Sequence, residues 1–379
     1  MKCLYWCWGP TVAIADPVMS DQRLLDSRQR RIELVHALAR HAKPNTYMGL
    51  FWFLKNQLVY WGCLAGSLIA DPIAVKLLFA MAAGFSLAGF IVLGHDAAHG
   101  ALVRGSRLNR LLAEISLLQV YHNFGLWIPD HHGLHHPMTN GPHKGTYTPY
   151  SPSEFARLSK SRQLLERFYR APNILGVAVH YGVERWWHSL VVPRGHHPTA
   201  ARRSGWIHAG GVAVYAAVLV SVVASLGRAN GLTPASAIAS SVLLPFFVAF
   251  FLIGLVEFAQ HTHPRVPWTK EVADRAFFER PELASVHLET PAWLGYALMN
   301  ILDHPVHHLL PKIPCYRLRA AQSHLNELLG GEAVRARFGL RWYVDTMKTC
   351  KLYDFEARRW MAFGAATSAA TPVGDEFAV

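Results

Sequence analysis

The stretch IAVKLLFAMAAGFSLAGFIVLGHDAAHG, residues 73–100, decides how this chain folds. From Ile73 to Leu93 it is apolar apart from Lys76 and Ser86, close to the ~20 residues that a helix needs to span a bilayer. It then runs on into His95 and His99, four positions apart and so on one face of a helix leaving the membrane. Taken alone, an HxxxH pair is a weak signal. Two further clusters change its weight: His132, His135 and His136 in HGLHH, and His304, His307 and His308 in HPVHH.

Working outward, the run from Tyr47 to Ala70 is also apolar, and only Asp71 and Pro72 separate it from Ile73, which predicts a tight helical hairpin. A second pair follows, from about Ala209 to Leu226 and from Ser236 to Phe258, joined by RANGLTPA. The composition agrees: of 379 residues 51% are hydrophobic and 16% charged, with mean hydropathy +0.15, the profile of an integral membrane protein rather than a soluble one. The expected fold is all-α, with four transmembrane helices in two hairpins and a cytoplasmic helical cap. It forms a single domain: a cytoplasmic amphipathic N-terminus (1–46), a first hairpin (47–94), a middle part holding two histidine clusters (95–208), a second hairpin (209–258) and a C-terminal part holding the third (259–379). Within the first part, QRLLDSRQRRIELVHALARHAK reads as an amphipathic helix, its arginines facing water or headgroups. LLAEISLLQVYHNFGLW is apolar enough to lie in the interface, and GAATSAATPVGDEFAV reads as disordered.

Two hairpins place the N-terminus, the middle stretch and the C-terminal part on one side. Lysine and arginine crowd these three regions, while the hairpin turns hold only Arg228, so this side is expected to be cytoplasmic, at a bacterial inner membrane. All three histidine clusters then emerge on one face. The net charge of +12 and pI near 9.6 sit beside apolar runs rather than on a polar domain. Anionic lipid or an acidic protein partner is the expected counter-charge, and nucleic acid is not. Cys3, Cys7, Cys63, Cys315 and Cys350 show no zinc-ribbon or iron–sulfur spacing and read as reduced thiols. The opening residues make a poor secretory signal, and Met19 is an alternative start.

An isolated histidine among the 22 in the chain, such as His36, His41, His180, His188 or His324, reads as a surface or core residue. Two HxxHH clusters and an HxxxH on one membrane face read as a metal site. Neutral imidazoles suit iron, copper or zinc, but four ligands close a structural zinc and would leave half the set idle. A two-metal site uses them all. With iron, such a site reduces oxygen and takes hydrogen from an unactivated carbon, and a hydrocarbon substrate explains the membrane setting.

These residues carry a resemblance. GHDAAHG, then HHPMTN, then DHPVHHLLPKIPCYRLRAAQSHL, and finally CKLYD resemble, in order and spacing, the membrane fatty-acid desaturases, most nearly the bacterial and cyanobacterial acyl-lipid delta-12 group, from about Phe51 to Asp354. The resemblance implies a non-haem di-iron centre with His95, His99, His132, His135, His136, His304, His307 and His308 as ligands. It adds His261, from a polar-xxx-His pattern matched by Glu257 and His261, with His263 as the alternative if the register shifts. Glu257, Asp96, Asp303 and His287 are expected around the ligands rather than on the metal. The chain departs from the pattern at Ala97 and Ala98, where Cys-Gly is usual, and at Trp127, one residue farther upstream of the second cluster. His131 therefore contests His132.

The implied activity is oxygen-dependent acyl desaturation, with two iron ions as cofactor and O2 as co-substrate. A related di-iron hydroxylase or acetylenase is the nearest rival, and a metal-binding membrane transporter is a rival of another class. The transporter expects ionisable ligands within the spans, where only Lys55, Lys76 and Glu257 appear, near their ends. No flavin, nicotinamide, haem or iron–sulfur motif is visible, so electrons are expected from a separate, ferredoxin-like donor. Trp186 and Trp187 read as interfacial anchors.

Overall fold

The computed structural model describes residues 17–142 and 147–366. The opening residues with Cys3 and Cys7, and all but the first three residues of the tail read as disordered, lie outside them; Cys63, Cys315 and Cys350 are free thiols. Helix α1 (Pro17–Leu38) buries Leu34 and Leu38 and leaves Leu25 and Ile32 exposed. Helix α2 (Thr46–Ile69) starts where the Asn45 side chain accepts a hydrogen bond from the Met48 N–H at 3.1 Å, an N-cap for one of the helix's orphan donors. After the Asp71-Pro72 turn comes α3 (Ile73–Ala98), whose 26 residues reach about 39 Å at the α-helical rise.

The two helices of this hairpin are clasped by polar groups as well as by packing. Buried Asn56 donates to the Ser86 carbonyl at 3.0 Å, and the Ser86 hydroxyl donates back to Asn56 Oδ1 at 2.9 Å. Such a closed pair leaves no polar atom facing hydrocarbon.

Among the described residues three helices are long and apolar enough to cross a membrane: Ile73–Ala98, Thr199–Ala229 and Pro234–His261. The expectation of four spans thus meets three on composition. Helix α2 is as long as a span but carries Lys55, Asn56 and Gln57 at its middle. Thr199–Ala229 turns through Asn230–Thr233, with Gly231 at φ +74°, into Pro234–His261, which contains a π-helical turn at Ala239–Leu243. Ile207, Val214, Val218 and Val222 are exposed along one side of the first of these, as a lipid-facing surface requires.

The all-α expectation is amended in the C-terminal part. Strand β1 (His287–Glu289) pairs in parallel with β2 (Arg335–Arg337), and β3 (Leu352–Asp354) pairs antiparallel with β4 (Arg359–Met361). Each strand is three residues long, too short for a periodic pattern to announce it. The remainder between and after the long helices is short helices: α4 (Ser106–Gln119) packs on α3, and α5 (Phe124–Asp130) leads to the second histidine cluster.

Packing of α3 against the Leu244–His261 helix sets the site, because each of them ends in site histidines. At their contact Gly84 leaves no room for a side chain: a Cβ there would lie 2.6 Å from Val248 Cβ and 2.7 Å from the Pro245 carbonyl oxygen. Gly84→Val must therefore push the helices apart, and should destabilise the protein by about 1–3 kcal/mol, seen as a lowered unfolding midpoint in detergent together with reduced metal retention.

Candidate metal centre

Helix α3 delivers His95 from its last turn and His99 from its C-cap. The second cluster arrives on a different geometry. Asn123 caps α5 by accepting from the Leu126 N–H at 3.2 Å and anchors it by donating to the Gly205 carbonyl at 2.7 Å. The chain then widens into a π-helical turn at His131–His135, in which the His136 N–H reaches the His131 carbonyl, five residues back, at 3.1 Å. A π-turn absorbs one extra residue within a helix. It carries His131 under His136 and turns His132 aside.

The Leu244–His261 helix brings His261 at its end, and the adjacent Gln260 donates to the Ile301 carbonyl at 2.9 Å, tying that end to the segment before the third cluster. His304, His307 and His308 come from a single short helix, His304–Leu309, whose Val306 N–H is held by Gln322 Oε1 at 2.9 Å.

Nine imidazoles assemble into two groups, one of His95, His99, His131, His136 and His307, the other of His135, His261, His304 and His308. Within each group the ligand atoms all lie within 4.8 Å of one another. Of the sequence-predicted ligands, His132 stands outside both groups. Its ring packs on His99 with centroids 4.3 Å apart, and its Nε2 is buried without a hydrogen-bond partner. His263 is also outside; its Nδ1 accepts from the Arg265 N–H at 3.1 Å.

The nitrogen geometry fits metal ions. Nε2 faces Nε2 at 3.2 Å between His131 and His99, 3.0 Å between His136 and His131 and 3.1 Å between His307 and His136; in the other group the pairs His304–His261 and His308–His304 stand at 3.1 and 2.8 Å. A neutral imidazole has one donor and one acceptor nitrogen. Rings meeting through the same atom cannot all be satisfied by one another, but a cation among them satisfies every lone pair. Burial, reinforced by the mutual repulsion of so many potential cations, holds His131, His304, His307 and His308 far below the usual imidazole range, and lowers His136 to about 2. They are kept in the neutral form that binds metal.

Several outward-facing nitrogens are anchored, as ligand histidines usually are. Asp96 Oδ1 lies 3.1 Å from His95 Nδ1, while Asp96 Oδ2 accepts from the Cys315 N–H at 2.5 Å. Thr139 Oγ1 meets His308 Nδ1 at 3.0 Å and the Ala284 carbonyl meets His261 Nδ1 at 3.1 Å. Asp303 and His287 pair with each other at 2.9 Å instead of holding a clustered imidazole. Thr139 has no signal of its own in sequence beyond its place in HHPMTN.

An apolar cavity of about 110 Å³ ends on this array, with His95, His131, His135, His261 and His304 at its polar end and Phe85, Ile91, Leu252, Ile253, Val256 and Leu298 along its walls. Arg185 and Glu257 also line it, as part of a charge cluster in which Arg185 is buried and the carboxylates are partly buried. Arg185 donates to Asp130 Oδ2 at 2.8 Å, and its Nε lies 3.8 Å from Glu257 Oε2, an ion-pair rather than a hydrogen-bond distance. Trp186 is half-buried and donates to the Tyr121 carbonyl at 2.7 Å, whereas Trp187 is exposed.

Two imidazole groups able to hold metal line an apolar cavity beside long apolar helices. The fatty acid desaturase profile matches residues 72–339, and the chain belongs to that family of oxidoreductases. It is 26% identical over 275 residues to the chloroplastic omega-6 fatty acid desaturase of Arabidopsis thaliana, covering 72% of this chain and 58% of the plant protein, less than two thirds of its length. It is 24% identical over 304 residues to the sn-1 oleoyl-lipid 12-desaturase of Anabaena variabilis, covering 78% and 81% of the two chains. Identity is 21% over 360 residues to the chloroplastic sn-2 acyl-lipid omega-3 desaturase (ferredoxin) of Arabidopsis thaliana, covering 86% and 74%.

Buried Arg185 lines the cavity and lies against both Glu257 and Asp130. Arg185→Met takes this cation from both carboxylates and should cost about 3–5 kcal/mol; Arg185→Lys, keeping the charge, should recover part of the loss in the same thermal-unfolding assay.

Proposed function

We propose that this protein is an oxygen-dependent fatty acyl desaturase that introduces a double bond into an acyl chain at a non-haem di-iron centre. The observation that carries this reading is an apolar cavity lined by histidines of both imidazole groups, in a chain of the desaturase family. One iron would be held by His95, His99, His131, His136 and His307, the other by His135, His261, His304 and His308. His132, the alternative reading of the second cluster, would stand beside the first iron. A di-iron centre supplies, from O2 and two electrons, an oxidant able to remove hydrogen from an unactivated methylene.

The protein's own residues do the rest. The aliphatic walls strip water from the acyl chain and hold two adjacent methylenes against the imidazole end of the cavity, so that position along the chain becomes position of the double bond. Asp96, Thr139 and the Ala284 carbonyl fix ring orientation. Arg185 holds Glu257 and Asp130 at the cavity wall, where Glu257 stands beside His261 as an outer contact. The overall balance is that two hydrogens from the acyl chain, two protons, two electrons and one O2 leave as two waters.

The membrane reading follows the same support. Four helices, α2 included, would span as two hairpins, with the histidine groups on the cytoplasmic side where basic residues gather. Electrons would come from an external one-electron donor of ferredoxin type, the donor that the omega-3 relative's name specifies for that protein.

Expression in a host that lacks polyunsaturated lipid, followed by mass spectrometry of its acyl chains, should show a new alkene that disappears with His307→Ala. Hydroxylated or triple-bonded chains without a new alkene would contradict the desaturase reading, and labile zinc with an unaltered lipid profile would support a transporter. Purified protein should hold about two irons. His131→Ala should lose about half of this and His132→Ala should keep nearly all, measured by elemental analysis; the reverse order would return His132 to the ligand set.

A further inference from the structure

The histidine array is open on two sides, and the second opening has a different chemistry from the first. A pocket of about 520 Å³ is lined by Arg28, Arg31, Arg275, Glu279, His136 and His308 among others, and shares no residue with the apolar cavity. Its floor is a pair of rings, His136 from one group and His308 from the other, with centroids 4.7 Å apart at 37°. Its rim is basic. Glu279 accepts from Arg28 at 3.0 Å and from Arg31 at 2.9 Å, which fixes both guanidinium groups from α1 at the mouth while leaving Arg28 half exposed; Arg275, on the short helix Arg275–Phe278, is exposed beside them. Three cations against one carboxylate leave this mouth with a net positive charge.

We propose that this pocket is the docking port for the electron donor, a small acidic one-electron carrier protein of ferredoxin type. The inference rests on the desaturase reading and adds to it where the donor sits. Charge complementarity favours an acidic carrier at a rim of arginines. The floor favours an electron carrier over other acidic partners, because one docked there lies against an imidazole of each group, with no more protein between. An acyl carrier with its phosphate on these arginines is disfavoured, since its acyl chain would have to cross the imidazole array to reach the apolar cavity. Two donor proteins dock in turn, each leaving as its oxidised form after giving one of the two electrons in the balance above.

The test uses the full-length protein in lipid nanodiscs, with a reduced or oxidised [2Fe–2S] ferredoxin as the probe. Arg28→Gln/Arg31→Gln/Arg275→Gln should raise the Kd for ferredoxin about tenfold at low salt and flatten its dependence on ionic strength, while iron content stays at the wild-type level. Arg275→Glu, which leaves the α1 contacts with Glu279 in place, should weaken binding in the same direction if α1 loosens in the triple variant. The matching kinetic signature is a raised KM for ferredoxin with kcat nearly kept. Unchanged ferredoxin affinity in both variants would overturn the port, as would a loss of affinity for acyl-coenzyme A with ferredoxin binding intact. A wild-type protein that binds ferredoxin but holds no iron and makes no alkene would overturn the desaturase reading itself, an outcome separate from a misplaced port.

Discussion

The structure depends on one constraint: nine imidazoles crowd into two groups, and seven of them meet through Nε2 within hydrogen-bond distance. His131, His136 and His304 each meet two other rings through Nε2 at 2.8–3.2 Å, and the one proton or lone pair that a neutral ring carries there cannot fully serve both. Protonation would relieve them, yet burial and mutual repulsion oppose it at most of these positions. Metal ions resolve the conflict without protons. The fold serves this end by bringing together chain segments as distant as His95 and His308, each on a helix end pinned by its own hydrogen bonds.

Separation of the two approaches to the array follows from the same placement. The long helices α3 and Leu244–His261 wall an apolar cavity on one side, where Arg185, Glu257, Tyr181 and Gln260 interrupt the hydrocarbon lining before the histidines. Helix α1 and Arg275 frame a basic mouth on the other. A hydrocarbon and a charged protein have opposite solvation needs, and under the proposed function each opening would meet one of them.

Much of this arrangement is legible in the sequence, because it is written in patterns that helices repeat. The run from Ile73 into HDAAH shows an apolar helix delivering two histidines, and α3 carries His95 in its last turn and His99 at its C-cap. The third cluster reads correctly as one short turn of helix, since HPVHH keeps α-helical spacing. The second cluster hides its geometry. The one-residue excess between Trp127 and His135 is visible, but not how the backbone takes it up; the π-turn at His131–His135 does so locally, and brings His131 rather than His132 into the group. Helix α2 shows the limit of composition, because Lys55, Asn56 and Gln57 obscure a helix whose polar face is matched by Ser86 and Gln119. Arg185, Thr139 and the Asp303–His287 pair depend on contacts between distant segments, which no periodicity records.

The central claim is that two irons sit in two separate imidazole groups. Diffraction from metal-loaded crystals, recorded on both sides of the iron absorption edge, tests it most directly. Two anomalous peaks are expected, one among His95, His99, His131, His136 and His307 and one among His135, His261, His304 and His308, with only nitrogen and oxygen neighbours. A single peak, a signal at the zinc edge instead, or density ligated by a cysteine would contradict the account.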